Sequence, residues 1–224
     1  IMFSFVKLTP SHLMALRNLS GERPVPVGTH ALIIGGEALR GDDLEPWRDA
    51  APDLLIYNEY GPTETTVGCT VYALRAGDVQ SGPVPIGRPL ANTRVYVLDA
   101  EGAPVGIGIP GELYIGGTGV ALGYSNAPEM TSARFVPDAV TGLPGERLYR
   151  TGDLVRYQAD GNLQFMGRLD RQIKIRGYRI EPGDVEAALR QHGGIAEVIV
   201  AAAAFDARDQ RLIAYVVPVN SADS

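Results

Sequence analysis

Nine consecutive residues, Asn58-Glu59-Tyr60-Gly61-Pro62-Thr63-Glu64-Thr65-Thr66, bring together an amide, carboxylates, an aromatic ring and several hydroxyls around a Gly-Pro turn. That mixture is poor material for a helix or a buried strand, so its value lies in what it holds. A nucleotide fits the inventory. Tyr60 offers a face for a base and Asn58 a donor and an acceptor for its edge, while Thr63 offers a hydroxyl for a phosphate and Glu64 a hard oxygen for Mg²⁺.

The elements around this stretch read as an α/β fold. Thr9-Pro10-Ser11 before Leu13, Met14 and Leu16 is a helix start, with a hydroxyl cap and proline at the first helical position. His30-Ala31-Leu32-Ile33-Ile34, ended by Gly35-Gly36, is a short buried strand, and Leu54-Leu55-Ile56-Tyr57 is a second. The segment between them, residues 42–50, is a helix bounded by Pro52, so the pair predicts a βαβ unit and a parallel sheet. Both Gly35-Gly36 and residues 58–64 then sit at strand carboxyl ends, where open α/β sheets take ligands.

From about residue 80 the pattern predicts a small, mostly antiparallel subdomain. Strands are expected at residues 93–98 and 111–116, a helix over 126–135 with Pro128 early in it, and a hairpin of 154–157 with 163–166. Beyond Gly167 come two short strands within 172–180, a helix over 182–190, and strands at 197–205 and 211–219 around the charged turn Asp206-Ala207-Arg208-Asp209. The division expected is 1–168 (1–79 an α/β part, 80–168 β-rich) and 169–224, the start of a small α+β domain.

The 224 residues are 45% hydrophobic and 21% charged, an ordinary globular composition. A net charge of −6 leaves no basic excess to displace counterions, which argues against a nucleic-acid partner. The single cysteine, Cys69, excludes an intrachain disulfide and reads as a small buried residue in a reducing, cytoplasmic setting. No apolar run is long enough to span a membrane. His12, His30 and His192 lack ligand spacing, Gly117, Gly119 and Gly123 read as turn and bulge positions, and Lys174, Arg176 and Arg179 read as a solvated face or a carrier-protein contact.

Five motifs, taken together and in order, resemble the adenylation domains of nonribosomal peptide synthetases within the adenylate-forming enzymes. They are Gly35-Gly36-Glu37-Ala38-Leu39, residues 58–64, Gly111-Glu112-Leu113 with residues 116–124, Tyr149-Arg150-Thr151-Gly152-Asp153-Leu154, and the run from Gly167-Arg168-Leu169-Asp170-Arg171-Gln172 to Arg176-Gly177-Tyr178-Arg179-Ile180-Glu181. Leu122 departs from the pattern, which has arginine there. The resemblance implies an aminoacyl-AMP made from an amino acid and Mg·ATP, then transfer to the phosphopantetheine thiol of a peptidyl carrier protein among neighbouring synthetase domains.

It also implies residue roles. Tyr60 would stack on adenine, with Asn58 at the base edge and Gly36 nearby; Thr63 would bind the α-phosphate and Glu64 the Mg²⁺. Asp153 would take the ribose hydroxyls, Arg168 the ribose–phosphate side, and Asp170 would be the hinge. Thr63, Glu64 and Arg168 would carry the catalytic work. The phosphate loop and the small-domain lysine of the family have no counterpart here, so the chain is expected to be a fragment lacking both ends and inactive alone.

The family's side-chain pocket maps onto Lys7, Ile33, Gly35, Glu59, Val67 and Gly68. A charged pair among Ile, Gly and Val is costly without a polar ligand, and an asparagine carboxamide matches it, with aspartate next. The alternatives are an acyl- or aryl-CoA ligase of the same superfamily and a non-catalytic nucleotide-binding module.

Overall fold

The computed structural model describes residues 2–21, 23–25, 27–74, 78, 81–175, 177–204 and 210–219. Arg176, the strand end at Phe205 and the turn at residues 206–209 lie outside the described residues. The chain divides into two compact units, Ile1–Leu169 and Asp170–Ser224.

The first unit begins with β1 (Val6–Leu8), α1 (Pro10–Ser20), β2 (Ala31–Gly35), α2 (Glu45–Ala50), β3 (Leu55–Tyr60), β4 (Thr70–Leu74) and β5 (Arg88–Pro89). These strands form one sheet in the order β1-β2-β3-β4-β5. The β1–β2 and β2–β3 pairs are parallel, as the apolar runs predict, and β4 and β5 then pair antiparallel. On one face Leu32, Ile34, Ile56 and Leu74 share a core with Leu13 of α1, Trp47 of α2 and Leu44, which precedes α2. Two features depart from the sequence reading. Residues 42–50 split into a 3-10 turn at Gly41–Asp43 and a six-residue helix, because Pro46 sits where a longer helix would need an amide donor. And β3 runs on through Asn58, Glu59 and Tyr60, which pair with Tyr72, Val71 and Thr70 of the unanticipated β4.

Helix α1 starts where its cap predicts. Thr9 accepts from the His12 backbone N–H in a capping box. Glu37, just after β2, adds a carboxylate that accepts from the Ser11 N–H at 2.9 Å and from the Ser11 hydroxyl. Negative charge at a helix N-terminus is stabilising, so the contact ties the Gly35-Gly36 turn to α1.

The rest of the unit is β6 (Thr93–Leu98), β7 (Gly111–Gly117), α3 (Pro128–Arg134), β8 (Phe135–Pro137), β9 (Arg147–Tyr157) and β10 (Leu163–Arg168). They form an antiparallel sheet in the order β10-β9-β7-β6, with β8 on β9. Its core of Val97, Leu113, Ile115, Val155 and Leu163 also takes in Tyr60 and Cys69, so the end of β3 is built into both layers. In the second unit β11 (Ile173–Ile175) pairs with β12 (Tyr178–Ile180), α4 (Pro182–Leu189) follows, and β13 (Ile195–Ala204) pairs with β14 (Gln210–Pro218).

Between β3 and β4 the chain makes a 3-10 turn at Thr63–Thr65 and then places two β-branched residues in the left-handed region, Thr66 at φ 64° and Val67 at φ 67°. Such conformations cost on the order of 1–3 kcal/mol each and persist where surroundings over-determine them. Here the Thr66 hydroxyl donates to the Gly119 carbonyl at 2.8 Å and the Ala121 N–H to the Glu64 carbonyl at 2.9 Å. Val67→Gly removes one strained residue and little burial, since that side chain is 50% exposed. After the greater entropy of a glycine chain, it should stabilise the unit by about 1 kcal/mol. The thermal melting midpoint should rise; an unchanged or lower midpoint would contradict the strain assignment.

Candidate functional site

Alternation along β3 sets the site. Ile56, Asn58 and Tyr60 are buried on one face, while Tyr57 and Glu59 are half-buried on the other. The two faces carry different chemistry.

On the buried face, the Tyr60 hydroxyl donates to Asp153 Oδ2. Burial, and then the charge of Asp153, push the Tyr60 phenol well above its ordinary range, so it stays protonated as a donor. The other carboxylate oxygen accepts from Arg168 Nη1 at 2.5 Å, and Arg168 Nη2 donates to the Thr151 carbonyl at 3.1 Å. Asp153 is 4% exposed, and a buried carboxylate needs such partners. Bulges build this alignment. In the β7–β9 pair Thr151, Gly152 and Asp153 stand opposite Leu113 alone, and a further shift between Phe165 and Gly167 brings Arg168 across from Asp153. Asn58, also buried, donates from Nδ2 to the Pro85 carbonyl at 2.8 Å. What remains for a ligand on that amide is its carbonyl oxygen as acceptor and the second N–H.

On the other face, Lys7 of β1 reaches Glu59 Oε2. Register explains the meeting: Lys7 pairs with Ile33 and Gly35 with Glu59. A Cβ on Gly35 would lie 2.6 Å from the Glu59 carbonyl oxygen, and one on Gly68 would lie 2.6 Å from Glu59 Oε1. Gly35 therefore lets β2 approach the Glu59 backbone, and Gly68 leaves the room in which the Glu59 carboxylate lies. Val67, next to Gly68, is half exposed. The structure corrects the cost argument made from sequence. Lys7 and Glu59 neutralise each other, and the side chains are 45% and 18% exposed, so the pair needs no ligand and is worth about 0–1 kcal/mol.

The remaining site residues spread along the same segments. Glu64 is buried and accepts from the Tyr124 hydroxyl at 2.7 Å. Burial, followed by the contact with Glu64, raises the Tyr124 phenol and keeps it a donor. Thr63 is exposed at the start of its 3-10 turn, and Gly36 is exposed at φ 86°. Asp170 opens the second unit, where its Oδ1 accepts from the Gln172 N–H at 3.2 Å. Cys69 is buried, with its sulfur 2.6 Å from Thr65 Oγ1.

Among the described residues no group of three or more His, Cys, Asp or Glu side chains is placed to hold a metal. Mg²⁺ does not need one, because one or two carboxylates with phosphate oxygens and water satisfy it. Glu64, with one oxygen oriented by Tyr124, fits that donor set. Sequence reasoning assigned no role to Tyr124, Glu37 or Glu112, although each lies in a quoted motif; their partners stand 60, 26 and 38 positions away.

Residues 3–125 match the family described as AMP-binding enzyme. A linear gramicidin synthase polypeptide of Brevibacillus parabrevis is 53% identical over 193 residues, which cover 86% of this chain and 4% of that protein. Bacitracin synthase 3 of Bacillus licheniformis is 47% identical over 213 residues, 95% of this chain and 3% of that protein. Among solved structures, holo-PA1221, an NRPS protein containing adenylation and PCP domains bound to a vinylsulfonamide inhibitor, superposes with a TM-score of 0.85 at 30% identity, covering 97% of this chain and 37% of that one. The chain thus spans a few per cent of the length of these synthases and little more than a third of the solved chain. With its five motifs on the α/β and antiparallel layers just described, this chain belongs to the AMP-binding enzyme family, among the adenylation domains of nonribosomal peptide synthetases.

Proposed function

We propose that these residues form part of an amino-acid-activating site that makes an aminoacyl-AMP from ATP and an amino acid, asparagine in preference to aspartate. The observation that carries the reading is the segregation on β3: a charged pair, Lys7 and Glu59, on one face, and Asn58, Tyr60 and Asp153 on the other. A single strand end then brings an amino acid and a nucleotide together, and such proximity is the main thing this reaction requires.

In the proposed reaction a carboxylate oxygen of the amino acid attacks the α-phosphorus, the bond to the β-phosphate oxygen breaks, and pyrophosphate leaves. No protein nucleophile is needed, so donors and cations around the phosphate carry the work. Thr63 offers its exposed hydroxyl to the α-phosphate. Glu64 holds Mg²⁺, which when bound neutralises charge on the phosphate oxygens. Tyr60 presents its ring to adenine, and the Asn58 carbonyl accepts from the exocyclic amine. Asp153 exchanges the Tyr60 hydroxyl for the ribose hydroxyls, and Arg168, which donates to its other oxygen, faces the ribose–phosphate side.

In the pocket a carboxamide inserts between the charges, its oxygen accepting from Lys7 and its NH₂ donating to Glu59. An aspartate carboxylate beside Glu59 faces repulsion of about 4 kcal/mol at about 4 Å and an effective dielectric near 20. Glutamine is one methylene longer, a discrimination of roughly 1–3 kcal/mol. Loading onto a phosphopantetheinyl carrier protein follows as the second half-reaction, a reading supported by the adenylation and PCP domains of the similar solved protein. The division of the chain after Leu169 supports a hinge at Asp170.

Two experiments on the natural polypeptide that carries this chain test the site. Amino-acid-dependent pyrophosphate exchange should favour asparagine, and Glu59→His should move preference toward aspartate; unchanged selectivity, or a wild-type preference for a hydrophobic amino acid, would refute the pocket. Asp153→Asn should weaken ATP binding by about 10- to 100-fold, the scale of hydrogen bonds to a charged group. Calorimetry showing wild-type affinity would remove Asp153 from the nucleotide site.

A further inference from the structure

Glu112, the second residue of β7, is buried, yet nothing in the proposed chemistry uses it. Its two carboxylate oxygens each lie 3.0 Å from Arg150 Nε, and Oε1 also accepts from the backbone N–H of Gly152 at 3.0 Å. Gly152 is the middle residue of the bulge that ends in Asp153, and its φ of 74° is one that a side chain rarely adopts. The groups flanking that contact are also held. The Gly152 carbonyl accepts from the Leu169 N–H at 2.8 Å, the Asp153 N–H donates to Thr151 Oγ1 at 2.9 Å, and that hydroxyl donates to the Leu113 carbonyl at 2.7 Å.

One residue therefore connects three things. Its N–H is fixed by Glu112, its C=O holds Leu169, the last residue of the first unit, and the next residue carries the carboxylate assigned to ribose. A bulge without that anchor has several backbone solutions, and each would aim Asp153 differently.

We infer that Glu112 is a positioning residue: its buried carboxylate, braced by Arg150, holds Gly152 so that Asp153 meets both ribose hydroxyls of the nucleotide. The inference rests on the proposed ribose role of Asp153. It goes beyond that role by making discrimination at the ribose depend on a side chain that does not touch the nucleotide.

The test is calorimetric binding of AMP, 2′-deoxy-AMP and 3′-deoxy-AMP to the natural polypeptide carrying Glu112→Ala, Glu112→Met, Glu112→Gln or Asp153→Asn. Met fills the volume without an acceptor; Gln keeps an oxygen for the Gly152 N–H. The wild type should prefer AMP over either deoxy analogue by about tenfold or more, one charged hydrogen bond each. Glu112→Ala and Glu112→Met should weaken AMP but hardly the analogues, closing the gap, and Glu112→Gln should keep most of it. Equal losses for all three nucleotides, or failure of both apolar variants to fold, would mean that Glu112 only supports the fold and would overturn the inference. A gap that closes in Asp153→Asn but persists in Glu112→Ala defeats this inference alone. A gap that persists in Asp153→Asn defeats the ribose reading beneath it.

Discussion

A buried carboxylate sets the terms for the first unit. Asp153 sits almost wholly out of water, held by the Tyr60 hydroxyl and the Arg168 guanidinium. Leaving such a charge unpaired costs several kcal/mol, so the partners are a requirement of folding before they are a feature of function. Tyr60 comes from the first sheet, Asp153 and Arg168 from adjacent strands of the second. Satisfying one charge thus fixes the end of β3 against β9 and β10. In the proposed reading it is the Asp153 carboxylate that takes the ribose hydroxyls once a nucleotide arrives.

Strand periodicity does the rest of the sorting. An extended segment turns successive side chains to opposite sides, so Asn58 and Tyr60 join the buried face while Glu59 points to the face that carries Lys7. A loop of the same residues would not separate the two sets of side chains so cleanly. The next segment is held against strain by its hydrogen bonds to Gly119 and Ala121. Thr66 and Val67 adopt left-handed backbone against their preference, and the chain thereby returns Gly68 to the Glu59 carboxylate.

Much of this was legible in the sequence, unevenly and for physical reasons. β2 and α1 announced themselves through a continuous apolar run and a Thr-Pro cap, signals that local structure alone produces. β1 did not, because three residues with a central lysine carry no pattern, and β4 hid behind the hydroxyl-rich turn before it. That concealment left residues 58–60 as an extended segment at a strand end, without the pairing to β4 that makes them strand. The meeting of Lys7 with Glu59, 52 positions apart, and of Tyr60 with Asp153, 93 apart, depends on register that only the folded sheets define; the family resemblance supplied those residues as candidates. Glu112 shows where a motif falls short. Its residues are plain in the sequence, but its contact with Gly152 exists because three residues bulge opposite one.

The central claim is that the end of β3 serves a nucleotide on one face and an amino acid on the other. A crystal structure of the natural polypeptide with AMP and asparagine tests it most directly. The account predicts the ribose hydroxyls on Asp153, the adenine against the Tyr60 ring, and the carboxamide between Lys7 and Glu59. A nucleotide bound elsewhere, or the two ligands on the same face of β3, would contradict it.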